Sequence, residues 1–355
     1  MKRWDRIKEV YGKWWKNELD RPILPIIIKK ECGIGEIPQK PLISQKTSLD
    51  LSITVKEILD GIEYELSKNE YLGDAFPYFN MDCFGPGVLS AFLGAKPDNS
   101  TGHIWFSVDE VKELKDLHFS YDPDNCWFVR IKEIYEEANK RFKGQVVMGM
   151  VDLGGILDVL AVFRTSERLL MDLYDEPEEV KRLVMELHHL WMKYYNELNE
   201  VISKSGNGYS DWSRIYSELP SYVIQCDFSF MIGPDLFEKF VKDELILLTE
   251  KITNTIYHLD GPGELNHLDE ILKMEKLNAV QWVPGAGAPP QNEWPEVYKK
   301  IHRANKGIQV WDGFDCIEAV SQQIGTTKGI LHWDIYMSDN NRDKAISQLK
   351  LYGAL

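Results

Sequence analysis

Short apolar runs alternate along this chain with longer segments whose apolar positions recur every three to four residues. The short runs are Ile23 to Ile28, Ala75 to Asp82, Gln145 to Asp152, Tyr222 to Asp227, Asn254 to Asp260, and residues 278–283, 308–312 and 329–334. Their length and their Gly, Pro and Asp boundaries predict buried strands. Between them, residues 52–68 place Ile53, Ile58, Ile62 and Leu66 on one helical stripe. Further helices are predicted at 128–141, across 156–204, and from Gly233-Pro234-Asp235 to Leu248. Glu176-Pro177-Glu178-Glu179 suits a first helical turn, where proline leaves no donor unpaired and acids favour the dipole.

Eight strands with helices between most of them predict an α/β chain of the (β/α)8 TIM-barrel type, in one domain spanning 1–355. Residues 1–20 read as an N-terminal helical extension, closed by Arg21-Pro22. Residues 31–50 read as loop, and 96–125 as an insertion or small hairpin.

The barrel reading directs attention to the C-terminal ends of the strands, where such folds carry their active sites. The polar residues there are Asp82, Asp152, Asp227, His258, Asp260, Gln281, Asp312, His332 and Asp334. Buried carboxylates cost several kcal/mol unless paired or ligated, so a ring of them points to chemistry. Within Tyr257-His258-Leu259-Asp260-Gly261, alternation sends His258 and Asp260 to the same face. That pair also fits a simple strand cap. Its recurrence as His332-Trp333-Asp334 favours a metal or acid/base site. Cys316, at the start of the helix after the seventh strand, is a further thiol candidate, although a buried structural role fits it better. Of the eleven tryptophans, Trp282, Trp311 and Trp333 sit at strand ends and, with Asn80, Gln281 and Asp312, are candidates for contacting a substrate.

Composition narrows the partners. A net charge of -15 argues against nucleic acid and anionic membrane surfaces. Five scattered cysteines without a CxxC pair, a charged amphipathic start and no membrane-length apolar run predict a reduced, cytoplasmic protein acting on a small molecule.

At four places the chain resembles the uroporphyrinogen decarboxylase superfamily, which includes that decarboxylase and the cobalamin-dependent methyltransferases. Phe79-Asn80-Met81-Asp82 followed by Gly85-Pro86-Gly87 resembles the strand end with the decarboxylase's catalytic aspartate. Gly154-Gly155 with Leu173-Tyr174-Asp175-Glu176-Pro177-Glu178 is similar to the family's third unit, and Asp227 through Gly233-Pro234-Asp235-Leu236-Phe237 to its fourth. His258-Leu259-Asp260 stands where the methyltransferases carry a zinc-binding His-x-Cys.

The resemblance implies a methyltransferase that moves a methyl group between a small molecule and a corrinoid carried by a partner protein, since the corrinoid-binding signature Asp-x-His-x-x-Gly is absent here. It implies zinc held by His258 and Asp260 with His332 or Asp334, and catalytic or orienting roles for Asp82 and Asp227. Replacing thiolate by carboxylate hardens the donor set and favours oxygen over sulfur chemistry. The family alternative is an aspartate-centred, metal-free lyase on a carboxylated substrate, but the arginine-bearing loop of the decarboxylase is not recognisable, and Arg164, Arg168 and Arg214 are the remaining candidates. A third reading is a non-catalytic tetrapyrrole- or corrinoid-binding barrel.

Overall fold

The computed structural model describes residues 3–355. It is a mixed α/β structure whose strands are β1 (Pro25–Lys29), β2 (Asn69–Gly73), β3 (Tyr78–Phe79), β4 (Lys96–Asp98), β5 (Trp105–Ser107), β6 (Val147–Met148), β7 (Ser221–Ile224), β8 (Asn254–Asp260), β9 (Ala279–Val283), β10 (Gly307–Val310), β11 (Ile330–His332) and β12 (Ile335–Ser338). β7 to β11 form one five-stranded parallel sheet in sequence order. β12 lies parallel to β1, β2 antiparallel to β1, and β3 parallel to β6. Short backbone links join these pieces: Ile23 N donates to Ile330 O at 3.0 Å and Ile23 O accepts from His332 N at 3.0 Å, and Met150 N donates to Ser210 O at 2.8 Å. Among the described residues, no helix is long and apolar enough to cross a membrane.

The pieces share one interior. Helix α1 (Arg3–Trp15) buries Ile7, Val10, Tyr11 and Trp14, a spacing of three and four residues that puts them on one face. That face packs with Ile23, Val147, Val223, Ile256, Ala279 and Leu331, one residue from each of six strands or strand approaches. Gly307 belongs to the same level and leaves the space that the Trp14 indole fills. The helix therefore plugs one end of the interior. Two residues further along their strands, on the same face, come Gln225, His258, Gln281, Gln309 and Trp333. Alternation thus turns an apolar floor into a polar layer above it.

Several predicted strands are shorter, each for a visible reason. The run 75–82 pairs only at Tyr78–Phe79 before Asp82–Phe84 tightens into a 3-10 turn. The run 222–227 stops at Ile224, and Asp227 opens the 3-10 helix Asp227–Met231. The run 308–312 stops at Val310 because Asp312 and Gly313 both adopt left-handed backbone, with φ of 69° and 82°. The run 329–334 breaks into β11 and β12. β2 carried no apolar signal, being a half-buried strand of Asn69-Glu70-Tyr71-Leu72-Gly73. The insertion is a hairpin, β4 paired with β5, followed by the short turn Leu114–Asp116.

Candidate functional site

β8 ends with His258 and Asp260 on the inner face, as alternation requires. Asp227 joins them from the neighbouring 3-10 helix. That helix is held by Asp158, whose Oδ2 accepts from Asp227 N at 3.0 Å and Oδ1 from Phe228 N at 2.6 Å. Asp158 lies in the helix Ile156–Arg164, whose start follows Gly154-Gly155. A side chain at Gly155 would run into the Gln225 carbonyl, so glycine is what lets this helix approach Asp227. One ligand atom from each of Asp227, His258 and Asp260 then lies within 4.8 Å of the other two. Among the described residues this is the one such group of three or more His, Cys, Asp or Glu.

The tautomer of His258 follows from its neighbours. Gln309 Nε2 donates to the Ser213 carbonyl at 2.7 Å, and a carbonyl can only accept. Gln309 Oε1 therefore accepts from Gln281 Nε2 at 2.6 Å, and Gln281 Oε1 accepts from His258 Nδ1 at 2.5 Å. With the proton on Nδ1, the Nε2 lone pair is left for a ligand. A ring N–H donated to a fixed acceptor is the usual support of a metal-binding imidazole. Trp212 packs edge-on against the same ring, with centroids 4.9 Å apart. An imidazole nitrogen and two carboxylates form a donor set suited to a zinc-like divalent ion, so the residues present fit a metal.

The electrostatics are those of crowded acids with little compensation. Burial, and then the neighbouring Asp227, push the Asp158 carboxyl up; burial, and then Asp260, do the same to Asp227. Asp227 is exposed to the cavity, but the cavity walls still strip much of its hydration. Burial raises Asp152 to about 8, against a hydrogen bond from Gly154 N that favours the charge. Glu264, fully buried beneath Asp260 N, is raised to about 10 for the same primary reason. Burial lowers His258, which keeps its imidazole neutral and able to ligate. Arg214 is the nearby cation. It lies over the Trp333 ring at 5.1 Å, pairs with Asp334 at 3.5 Å, and its charge opposes the desolvation of Asp82.

The polar chamber has a volume of about 250 Å3 and is lined by Gln45, Asp82, Pro86, Asp152, Trp212, Gln225, Asp227, His258 and Trp333. Asn80 supports it from behind, its Oδ1 accepting from Asp82 N at 3.2 Å. Gln281 acts through His258. Trp311 touches Trp333 edge-on at 5.8 Å, while Asp312 is exposed on its left-handed turn.

Four predicted site residues lie elsewhere. Trp282 alternates with Gln281 and so points to the other face, fully buried against Trp294. His332 likewise alternates with the inner Leu331; its Nε2 accepts from Gly313 N and its Nδ1 donates to Trp333 O, which leaves no lone pair for a metal. Asp334 is engaged with Arg214. Cys316 is buried beside Gln291, and burial raises its thiol to about 12. The structure therefore completes the His258–Asp260 pair with Asp227, and not with His332, Asp334 or Cys316. Residues the sequence reading missed are Asp158, Gln225 and Gln309. A lone polar residue inside an apolar strand, as in Ile308-Gln309-Val310, was the available signal.

No protein-family model and no curated protein matches this chain. Among solved structures, its fold is similar to that of a methyltransferase from Methanosarcina mazei. The identity is 13% and the TM-score 0.60, over 96% of this chain and 97% of the other. That likeness is a distant relation in fold.

Proposed function

We propose that the chain is a (β/α)8-barrel methyltransferase that moves a methyl group between a small molecule and a corrinoid carried by a partner protein, with a divalent metal held by Asp227, His258 and Asp260. The observation that carries this reading is the amide chain from His258 to the Ser213 carbonyl, which leaves Nε2 unprotonated on a ring grouped with two carboxylates. A zinc-like ion held by these three residues would supply Lewis acidity. The protein's own residues do the rest. Asp158 holds Asp227 in place through two backbone donors. Asp82 and Gln225 face the chamber and orient the substrate. Exposed Phe230, packed on Gly261 and Gly263 beyond the end of β8, offers an apolar contact for a flat macrocycle. The fold relation to a methyltransferase agrees with this class.

A second reading, a metal-free lyase centred on Asp82, draws support from the proximity of Arg214, a cation able to attract a substrate carboxylate. Metal content separates the two. Purified full-length protein incubated with zinc and then desalted is expected to retain about one equivalent by elemental analysis, as one closed donor set would bind. His258→Ala is expected to retain none. Absence of retained zinc in the wild type would reject the metal-assisted reading and favour the lyase.

A further inference from the structure

Beside the polar chamber lies a second cavity of about 320 Å3. The two share Pro86, Gln225 and Asp227, so they adjoin at one member of the candidate metal group. The walls of this annex are apolar and come from three elements. Ile104, Trp105 and Phe106 belong to the β4–β5 hairpin, Val159 and Val162 to the helix Ile156–Arg164, and Met231 to the 3-10 helix that starts at Asp227. The hairpin is seated on the Gly85 turn: a Cβ at Gly85 would stand 2.7 Å from Ile104 Cβ, so only glycine permits this approach. Trp105 and Met231 line the annex yet remain 67% and 46% exposed. Large apolar side chains left uncovered on a concave wall mark a place that a ligand fills.

We propose that the annex is a binding subsite for one neutral aromatic ring of the small-molecule substrate, with the ring's polar substituent directed toward Asp227. This deepens the reading of the adjoining chamber as the reaction site and rests on it. Size supports a single ring, because an apolar cavity of about 150 Å3 is enough to hold benzene. The annex therefore accepts a ring with small substituents. Wall chemistry supports an aromatic, since indole and phenyl groups pack favourably on ring edges and faces. Charge supports neutrality: the annex is lined by no Lys or Arg, and its polar members are Ser90, Asp158, Ser166, Gln225 and Asp227, so an anionic ring would meet no cationic side chain there. Position supports the orientation, because Asp227 belongs to both cavities.

The test is calorimetric titration of the full-length protein with anisole, methanol and benzoate, with zinc content measured on the same samples. Anisole is expected to bind at least about tenfold more tightly than methanol or benzoate. Ala161→Phe, which fills the annex from the helix Ile156–Arg164, is expected to weaken anisole about tenfold while zinc content and Tm stay at wild-type values. Trp105→Ala, on the exposed hairpin, is expected to weaken anisole without altering the fold. Anisole binding no tighter than that of methanol, or unchanged binding in Ala161→Phe, overturns the subsite. Protein that binds anisole in this way but takes up no zinc supports the subsite and rejects the metal. Protein that takes up zinc but does not discriminate between anisole and methanol overturns the subsite alone.

Discussion

The hydrogen bond from His258 Nδ1 to Gln281 Oε1, 2.5 Å long, has its direction set by the Ser213 carbonyl at the far end of the Gln281–Gln309 amide chain. The loop that supplies this carbonyl is itself fixed by buried Asp211, which accepts from Ser213 N, Ser213 Oγ and Val223 N. Trp212, against the His258 ring, and Arg214, near Asp82, flank that carbonyl. One short loop thus sets the protonation of the candidate ligand and the charge beside it.

Gln281→Leu removes the acceptor at similar volume and frees the His258 tautomer. Zinc affinity, measured by competition with a chromogenic chelator, is expected to fall about 10–100-fold. Gln281→Glu keeps an acceptor for Nδ1 and is expected to lose much less. Full affinity in the leucine variant would show that the amide chain has no bearing on the ligand.

Asp152 gives a pH-dependent stability with a definite sign. Its folded-state carboxyl is raised to about 8 from 3.8, chiefly by burial. Between those values the folded chain holds a proton that the unfolded chain has released, so stability falls as pH rises through the window. Asp152→Asn keeps the acceptor for Gly154 N and removes the titration. The wild type is expected to lose on the order of a few kcal/mol more than Asp152→Asn between pH 4 and pH 8. Urea titrations at several pH values check this; parallel curves for the two proteins would contradict it.

How much of this was readable beforehand depends on strand parity. His258 and Asp260 were legible because two residues on one strand share a face whatever the tertiary structure. The same rule allows only one of Gln281 and Trp282 to face inward, and the register pairing His258 with Gln281 makes it the glutamine. Aromatic character alone pointed to Trp282, but a large apolar side chain is as well suited to the helix layer. His332 fails for the same reason, with Leu331 taking the inner face. Asp227 was named, but its place beside Asp260 depends on a 3-10 turn capped by Asp158, 69 residues earlier in the chain. No local pattern encodes that contact. The annex was equally hidden, because its walls come from an insertion, a helix and a turn that only the fold brings together.

Arg214 sits between acids that burial would otherwise drive neutral. Asp334 is raised to about 6 by desolvation, with Arg214 opposing. Arg214→Met keeps the apolar stem and removes the guanidinium with its charge. The expected loss is about 1–3 kcal/mol at pH 8, from a buried carboxylate left without its partner. Below pH 6 Asp334 is protonated and the loss shrinks. Adding Asp334→Asn to Arg214→Met is expected to recover most of the stability at pH 8. An equal deficit at pH 5 and pH 8 would mean that Arg214 acts by packing on Trp333 and Tyr336.

At the opposite end of the interior, Asp74 ties the N-terminal helix to the first strand. Its carboxylate, fully buried, accepts from Arg21 Nη1 at 2.6 Å, Arg21 Nη2 at 2.9 Å and Leu24 N at 2.9 Å, with Arg6 Nη2 at 3.5 Å. Asp74→Ala leaves the half-buried guanidinium of Arg21 and the buried Leu24 N–H without an acceptor. Breaking a buried pair in this way costs about 3–5 kcal/mol. Asp74→Asn keeps an acceptor for Leu24 and is expected to lose less. The apolar floor of Val223, Ile256, Ala279 and Leu331 separates this network from the polar layer. Both variants, where folded, are therefore expected to bind zinc with wild-type affinity. Urea unfolding read alongside chelator competition checks the two halves together: a loss of zinc affinity equal to the loss of stability would mean that the plug and the site are mechanically coupled through that floor.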